Sequence, residues 1–424
     1  MRRRQFMQTM GSGALLAATS GCAVRSSSAR AKVVVIGGGY GGATAAKYIK
    51  MRSDGAIDVT LVEPGANFIS CPLSNLVLGG SRHLSDLTLT YDNLARRHGV
   101  RIVRDAAQAI DIDRRIVRLA GGATLAYDRL VLSPGIGFMW DQVPGMNAPG
   151  ARERVLHAWK AGAQTLALRK QLEAMADGGT FAIAIPAAPY RCLPAPYERA
   201  CQVAFYFSRA KKKSRVLILD ANDDVTSKGA LFKQAWAERY RDMIEYRPNF
   251  VTADVDAASG TAISEFDDRV QAAVLNVIPP QRAATIAVDA GLANINRRWC
   301  EVDFLTFEST LAKGVHVLGD AIQTAELMPK SGHMANQHAK LCAAAVVDLL
   351  SGRAPNPNPS LSSTCYSFVS DQEAMHIASV HGYDAAKKTL LAVPGSLRLS
   401  TTANALEGEH AMRWMHELWA DMLA

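Results

Sequence analysis

Cys192 and Cys365 are the residues whose settings point most directly to chemistry. Each lies in a short polar and aromatic motif, Tyr190-Arg191-Cys192-Leu193-Pro194 and Thr364-Cys365-Tyr366-Ser367-Phe368, rather than in an apolar run that would bury it. A thiol in such a setting is open to nucleophilic and redox chemistry, which depends on thiolate character and access. The two stand 173 residues apart, so spacing alone says nothing about whether they pair. Cys342, between Leu341 and Ala343-Ala344-Ala345-Val346, reads as a buried and inert helix residue, and Cys201 and Cys300 read as structural. Cys71 occupies a Pro-flanked turn, Ser70-Cys71-Pro72, where a structural and a reactive reading both stand. There is no C-x-x-C pair and no C-x-x-C-H motif. No metal ligand set is expected, and any haem must sit on another chain.

The second chemical constellation is Gly37-Gly38-Gly39-Tyr40-Gly41-Gly42. It follows the apolar run Val33-Val34-Val35-Ile36, fit for a buried parallel strand, and precedes a helical stretch over 43–52; a second strand over 57–62 ends at Glu63. In such a βαβ unit Gly37 permits the tight turn, Gly39 lets the backbone approach a pyrophosphate, and Gly42 lets helix and strand pack closely. The phosphate sits at the helix N-terminus, and Glu63 can accept hydrogen bonds from a ribose. The fingerprint alone does not separate FAD from NAD. Two later strand-and-turn segments do: Tyr127-Asp128-Arg129-Leu130-Val131-Leu132-Ser133-Pro134-Gly135 and Gly314-Val315-His316-Val317-Leu318-Gly319-Asp320. At these spacings they resemble the second and third flavin contacts of flavoproteins with two dinucleotide domains, which implies contacts at Pro134, Gly135 and Gly319 and a ribityl-holding Asp320. Met328-Pro329-Lys330-Ser331-Gly332 leads into a helix over 333–350. A helix N-terminus and Lys330 could stabilise negative charge on a reduced flavin; the alternative is an exposed lysine at a surface helix start. Cys71, eight residues past Glu63, lies on a second-strand loop able to reach the flavin ring.

These residues need an α/β architecture to position them: two Rossmann-like dinucleotide-binding domains and a C-terminal α+β segment. The expected division is a signal over 1–31, a discontinuous FAD-binding domain over 32–150 and 287–353, a degenerate NAD-type domain over 151–286, and a C-terminal interface domain over 354–424. The middle block opens with the strand Thr180-Phe181-Ala182-Ile183-Ala184-Ile185, but the turn after it, 186–196, carries four prolines where glycines belong. Proline fixes φ and removes an N–H donor, so the nicotinamide site reads as lost. A proline-rich linker, Ala354-Pro355-Asn356-Pro357-Asn358-Pro359-Ser360, opens the last segment. The final helix there carries Trp414, Met415, Leu418, Trp419 and Met422 on an apolar stripe, which packs on a core more often than it attaches to a membrane.

The net charge of +8 owes much to five arginines in the first 31 residues. The mild surplus left gives no argument for nucleic acid. Arg3-Arg4-Gln5-Phe6-Met7 resembles a twin-arginine export pattern, with Ala29-Arg30-Ala31 as a cleavage site, so a periplasmic location is expected. Gly21-Cys22 is the alternative, a lipoprotein cleavage point. No apolar run reaches 18 residues, and no span is expected.

Taken together, the motifs resemble the flavoprotein subunit of flavocytochrome c sulfide dehydrogenase. Those that carry the resemblance are GGGYGGATAAKYIK from Gly37, SCPLSNLVLGG from Ser70, His157-Ala158-Trp159-Lys160-Ala161-Gly162, YRCLPAPYERA from Tyr190, Trp299-Cys300-Glu301-Val302, Met328 to Gly332, and Thr364-Cys365-Tyr366-Ser367. The resemblance implies that Cys71 carries FAD covalently, that Cys192 and Cys365 form a redox disulfide over the flavin, and that Glu198 manages protons beside it. It departs from the family at Leu193 and Ala195, which replace a proline and a glycine after the cysteine. The implied activity is hydrosulfide oxidation through the disulfide and flavin to a c-type cytochrome subunit or soluble cytochrome c, releasing sulfane sulfur or polysulfide. The rival readings are a sulfide:quinone oxidoreductase and a non-catalytic flavin-bearing subunit that assists a thiosulfate-oxidising complex.

Overall fold

The computed structural model describes residues 30–424; the export segment read around Arg3, Arg4 and Cys22 lies outside them. Short apolar runs become parallel strands: β1 (Lys32–Ile36), β2 (Asp58–Val62), β3 (Arg101–Val103) and β4 (Arg129–Leu132). Val33, Val34, Val35 and Leu130, Val131, Leu132 are all buried, as expected of a parallel sheet covered on both faces. The glycine turn after β1 starts α1 (Tyr40–Arg52), and the Cys71 turn starts the short α2 (Ser74–Gly79).

Leaving this sheet, the chain builds a second one from β5 (Thr180–Ile185), β6 (Arg215–Asp220), β7 (Ile244–Arg247) and β8 (Val274–Val277), parallel throughout in the order β7-β6-β5-β8. The long helix α3 (Ala195–Ala210) follows the proline loop. Crossing and return are tied together by an antiparallel ribbon, Ile136–Phe138 against Gln281–Ala283. Back in the first sheet, β9 (Val315–Val317) adds beside β4, which completes the order β9-β4-β1-β2-β3. Helix α4 (Gly332–Leu350) then packs along α1. The doubly wound architecture expected from the motifs is therefore present twice.

After the proline linker an antiparallel sheet forms from β10 (Ser360–Phe368), β11 (Ala374–Asp384) and β12 (Thr389–Ala392), with β13 (Arg398–Leu399) also on β11. Helix α5 (Ala405–Leu423) ends the chain. The segment 354–424, read from sequence as a domain of its own, shares its core with the first sheet: Leu361, Phe368, Leu390, Met415, Leu418, Trp419 and Met422 join Val33, Ala46 and Val346 in one apolar cluster. The α5 stripe is thereby consumed in packing. Polar latches hold it there: Lys47 Nζ donates to the Asp421 carbonyl at 2.8 Å and Tyr48 to Asp421 Oδ1 at 2.6 Å. Among the described residues no helix is long and apolar enough to cross a membrane.

Candidate active site

A cavity of about 430 Å³ opens at the carboxyl ends of β1, β2, β4, β5 and β9, and nearly every residue singled out from the sequence lines it. The glycine turn is sterically tight at two positions and open at a third. Gly37 has φ +95°, and a Cβ there would stand 2.3 Å from the Ser133 carbonyl oxygen; at Gly42 it would stand 1.8 Å from that of Gly37. Gly39 faces open space, which a side chain would fill. Glu63 sits at the rim with both oxygens fixed, accepting from the Gly38 N–H at 2.7 Å and the Gly65 N–H at 2.8 Å. Pro134, Gly135 and Gly319 line the same space. Asp320 also lines it, with Oδ1 buried and without a hydrogen-bond partner. Burial pushes its carboxyl up, against the pull of Arg191 and Lys330. An open glycine at a helix start and an orphaned carboxylate oxygen on the far wall are what a pyrophosphate and a ribityl hydroxyl would fill. The residues present fit FAD.

One residue of this region differs from the sequence reading. Lys330 neither lines the cavity nor stands exposed. Its ammonium is 3.1 Å from the Asp320 carbonyl oxygen, also donates to that of Ile322, and lies 3.7 Å above the Trp299 ring. Burial pulls it down to about 7. Lys330 thus braces the turn that presents Asp320, and the charge-stabilising role expected at the flavin has no geometry here; the N-terminus of α4, through Gly332 and His333, does line the cavity. Tyr40, within the glycine motif, is a hub: its hydroxyl meets Ser70 Oγ at 2.6 Å and accepts from Trp419 Nε1 at 3.1 Å, joining the glycine turn, the Cys71 turn and α5.

Cys71 is half-buried on the cavity wall, and its sulfur accepts from the Ala161 N–H at 3.5 Å. The Arg191 guanidinium stands beside the same sulfur and donates to the Trp159 carbonyl. Cys192 and Cys365 meet across the cavity from different domains. Cys192 adopts φ +59° in the proline loop, where its N–H donates to the Lys330 carbonyl at 2.8 Å and its own carbonyl accepts from Ala195 at 3.0 Å as α3 begins. Cys365 comes from the middle of β10, with its carbonyl held by Lys228 Nζ at 3.0 Å. The two are free thiols that stand side by side; their mutual interaction pushes Cys192 up and pulls Cys365 down, and the Lys228 charge adds to the second effect.

Glu198 lies in the first turn of α3 beside this pair, only 8% exposed. Its Oε1 accepts from the Phe368 N–H and its Oε2 from Asn75 Nδ2, both at 2.8 Å. Burial pushes the carboxyl up to about 7 in spite of those bonds. Cys201, Cys300 and Cys342 are fully buried away from the cavity; burial pushes Cys201 and Cys300 up to about 12, and Cys342 up as well. Sequence reasoning missed Arg191, Asn75 and Lys228. The first two lie inside the cysteine motifs and were in view as neighbours, whereas Lys228 has no local signal and reaches Cys365 only through the fold.

The middle domain retains an acid at the end of its second strand, where a nicotinamide dinucleotide would place a ribose. That acid, Asp220, is fully buried and occupied, accepting from Tyr197 at 2.7 Å, Tyr246 at 3.1 Å and Asn222 Nδ2 at 2.7 Å.

Comparison with known proteins agrees with this geometry. Residues 31–183 match the family described as pyridine nucleotide-disulphide oxidoreductase. Residues 165–279 match the central region of the sulfide dehydrogenase [flavocytochrome c] flavoprotein chain, and 357–423 match the flavocytochrome c sulphide dehydrogenase flavin-binding family. The chain is 56% identical over 46 residues to a sulfide dehydrogenase [flavocytochrome c] flavoprotein chain of Chlorobaculum thiosulfatiphilum, which covers 11% of this chain and 94% of that sequence. It is 25% identical over 305 residues to the mitochondrial sulfide:quinone oxidoreductase of Mus musculus, covering 68% of this chain and 65% of the length of that relative. The fold matches the solved sulfide:quinone oxidoreductase of Aquifex aeolicus with a TM-score of 0.76 at 18% identity, over 92% of this chain and 91% of that one. With its central and C-terminal regions matched alongside the dinucleotide fold, the chain belongs to the flavocytochrome c sulfide dehydrogenase flavoprotein family.

Proposed function

We propose that this chain oxidises hydrosulfide at a redox disulfide made by Cys192 and Cys365, with FAD held covalently through Cys71 and a c-type cytochrome as electron acceptor. The observation that carries this reading is the meeting of Cys192 and Cys365 beside Glu198 on the wall of a cavity fit for FAD. Hydrosulfide attacks one sulfur of the disulfide; a new sulfur–sulfur bond forms as the old one breaks, leaving a persulfide on one cysteine and a thiolate on the other. Arg191 and Lys228 supply positive charge beside these anions. Glu198, poised near neutrality, takes the proton released and returns it later. A second hydrosulfide removes the sulfane sulfur as a polysulfide, and the dithiol regains its disulfide by losing two electrons. Bound FAD supplies two-electron acceptance and one-electron release.

A cytochrome acceptor is supported by the family that the central and C-terminal regions match and by the burial of the α5 stripe, which leaves that face of α5 unavailable to a membrane. The likeness to sulfide:quinone oxidoreductases favours a quinone as the second reading. Mixing the purified holoprotein anaerobically with sulfide, then with cytochrome c or a soluble quinone, separates them. Bleaching of the flavin followed by faster reduction of cytochrome c is expected. Preferential quinone reduction would favour the second reading, and an unbleached flavin would point to a non-catalytic subunit. The site of action we propose is the periplasm. Replacing Arg3 and Arg4 by lysine should then strand the protein inside the cell, which fractionation of expressing cells would detect.

A further inference from the structure

Asn75 stands between two groups that do not bond to each other. On one side Arg199, 2% exposed, directs its guanidinium to the carbonyls of His157 at 2.8 Å and Ala158 at 2.7 Å, to Asn276 Oδ1 at 2.8 Å, and through Nε to Asn75 Oδ1 at 3.1 Å. On the other side Asn75 Nδ2 donates to Glu198 Oε2 at 2.8 Å and to the Ala195 carbonyl at 3.1 Å. The amide therefore has one sensible orientation: turned over, it would set an NH2 against a guanidinium and a carbonyl oxygen against a carboxylate. Asn75 is itself 4% exposed, so water does not compete for either end. It also sits at the start of α2, next to Ser74, whose hydroxyl donates to the Cys71 carbonyl at 2.6 Å. The turn that presents Cys71 and the turn that presents Cys192 and Glu198 are thereby joined through a single amide.

We propose that Asn75 is a positioning residue whose amide relays the charge of Arg199 to Glu198, fixing the orientation and ionisation of that carboxyl during sulfide oxidation. The proposal rests on the sulfide-oxidising role given to Glu198 above. The other groups facing Glu198 are Cys192 from the proline loop, Cys365 and the Phe368 N–H from β10, Lys228 from the turn after β6, and Arg199 and Cys201 on α3. Lys228 and the Phe368 N–H favour the carboxylate, and burial and the sulfurs oppose it. The Asn75 amide adds to the first side at the oxygen that Phe368 does not reach. Removing it tilts the balance toward the protonated acid, and replacing it with a carboxylate tilts the balance further.

The test uses the FAD-loaded protein and two readouts. The first is the pH dependence of sulfide-driven flavin bleaching. The second, without sulfide, is infrared titration of the carboxyl band that is absent in Glu198→Gln. In Asn75→Asp both midpoints should rise by about one pH unit or more; in Asn75→Ser they should rise by less, and the plateau rate at high pH should stay within about threefold of the parent. A purely structural Asn75 would lower melting temperature and leave both midpoints in place. Unmoved midpoints in either folded variant overturn the proposal, and Asn75→Ser keeps the test decisive if the aspartate variant does not fold. If sulfide fails to bleach the parent protein, the functional reading fails on its own while the infrared arm still judges Asn75.

Discussion

At the scale of single residues, the site is a set of polar groups placed where burial works against their charge. Glu198 is the clearest case: burial pushes it up to about 7, and hydrogen bonds from Phe368 and Asn75 keep it from rising further. A base with this setting is protonated below neutrality and becomes an acceptor as pH rises through about 7. Sulfide-driven flavin bleaching should therefore accelerate across that range. Glu198→Gln should slow it by about a hundredfold and remove the rise, within the usual range for general acid–base groups; a stopped-flow pH series checks both. Cys71 makes a separate prediction. Its sulfur accepts from the Ala161 N–H on the cavity wall, with Arg191 beside it. Acid precipitation of the parent protein should leave a yellow pellet, whereas Cys71→Ala should release its FAD to the supernatant. A colourless parent pellet would remove the covalent link.

At the scale of elements, the same strand–turn–helix unit serves two ends in one chain. After β1 the turn is glycine, open at Gly39 and closed at Gly37 and Gly42, and it fits a pyrophosphate. After β5 the corresponding turn is rich in proline and delivers Cys192 in a left-handed conformation at the start of α3. The acid that would hold a ribose in this second unit, Asp220, is occupied by the hydroxyls of Tyr197 and Tyr246. Binding a nicotinamide dinucleotide would require displacing the hydroxyl of buried Tyr197 from a buried carboxylate, and that donor left unpaired would cost about 1–3 kcal/mol. Excess NADH added anaerobically to the oxidised holoprotein should leave the flavin absorbance unchanged over the time in which sulfide bleaches it.

At the scale of the whole molecule, the C-terminal segment closes the site. It brings Cys365 on β10 from beyond the linker, sends Trp414 and Met415 of α5 to the cavity wall, and shares the core of the first sheet. Cys192 and Cys365 could then serve as a relay or merely as a clamp between this segment and the middle domain. The two differ in what Cys365→Ser does. Loss of a clamp would destabilise by the loop-closure term, about 3–5 kcal/mol, while sulfide still reduced the flavin. Loss of a relay should give a folded, FAD-loaded protein whose flavin stays oxidised when sulfide is added. The second result is expected, and paired melting and bleaching measurements on the one variant read it directly.

The two dinucleotide folds, the FAD-type crevice and the placement of Gly37, Gly39, Gly42 and Glu63 were legible in the residues because they are local. A turn that needs a positive φ, or a helix start that needs backbone room, writes itself into adjacent positions. The burial of Cys342 was legible for the same reason, from its apolar helix neighbours. The meeting of Cys192 with Cys365 was available only as a family resemblance, since no local pattern links residues that far apart. Tertiary structure alone decided the rest. It turned Lys330 inward onto carbonyls instead of toward the cavity, merged segment 354–424 into the first core, and set Lys228, Asn75 and Arg199 around Glu198. Those outcomes depend on which desolvated charge finds which partner. That is a competition among groups from different elements, and it is settled only when the elements pack.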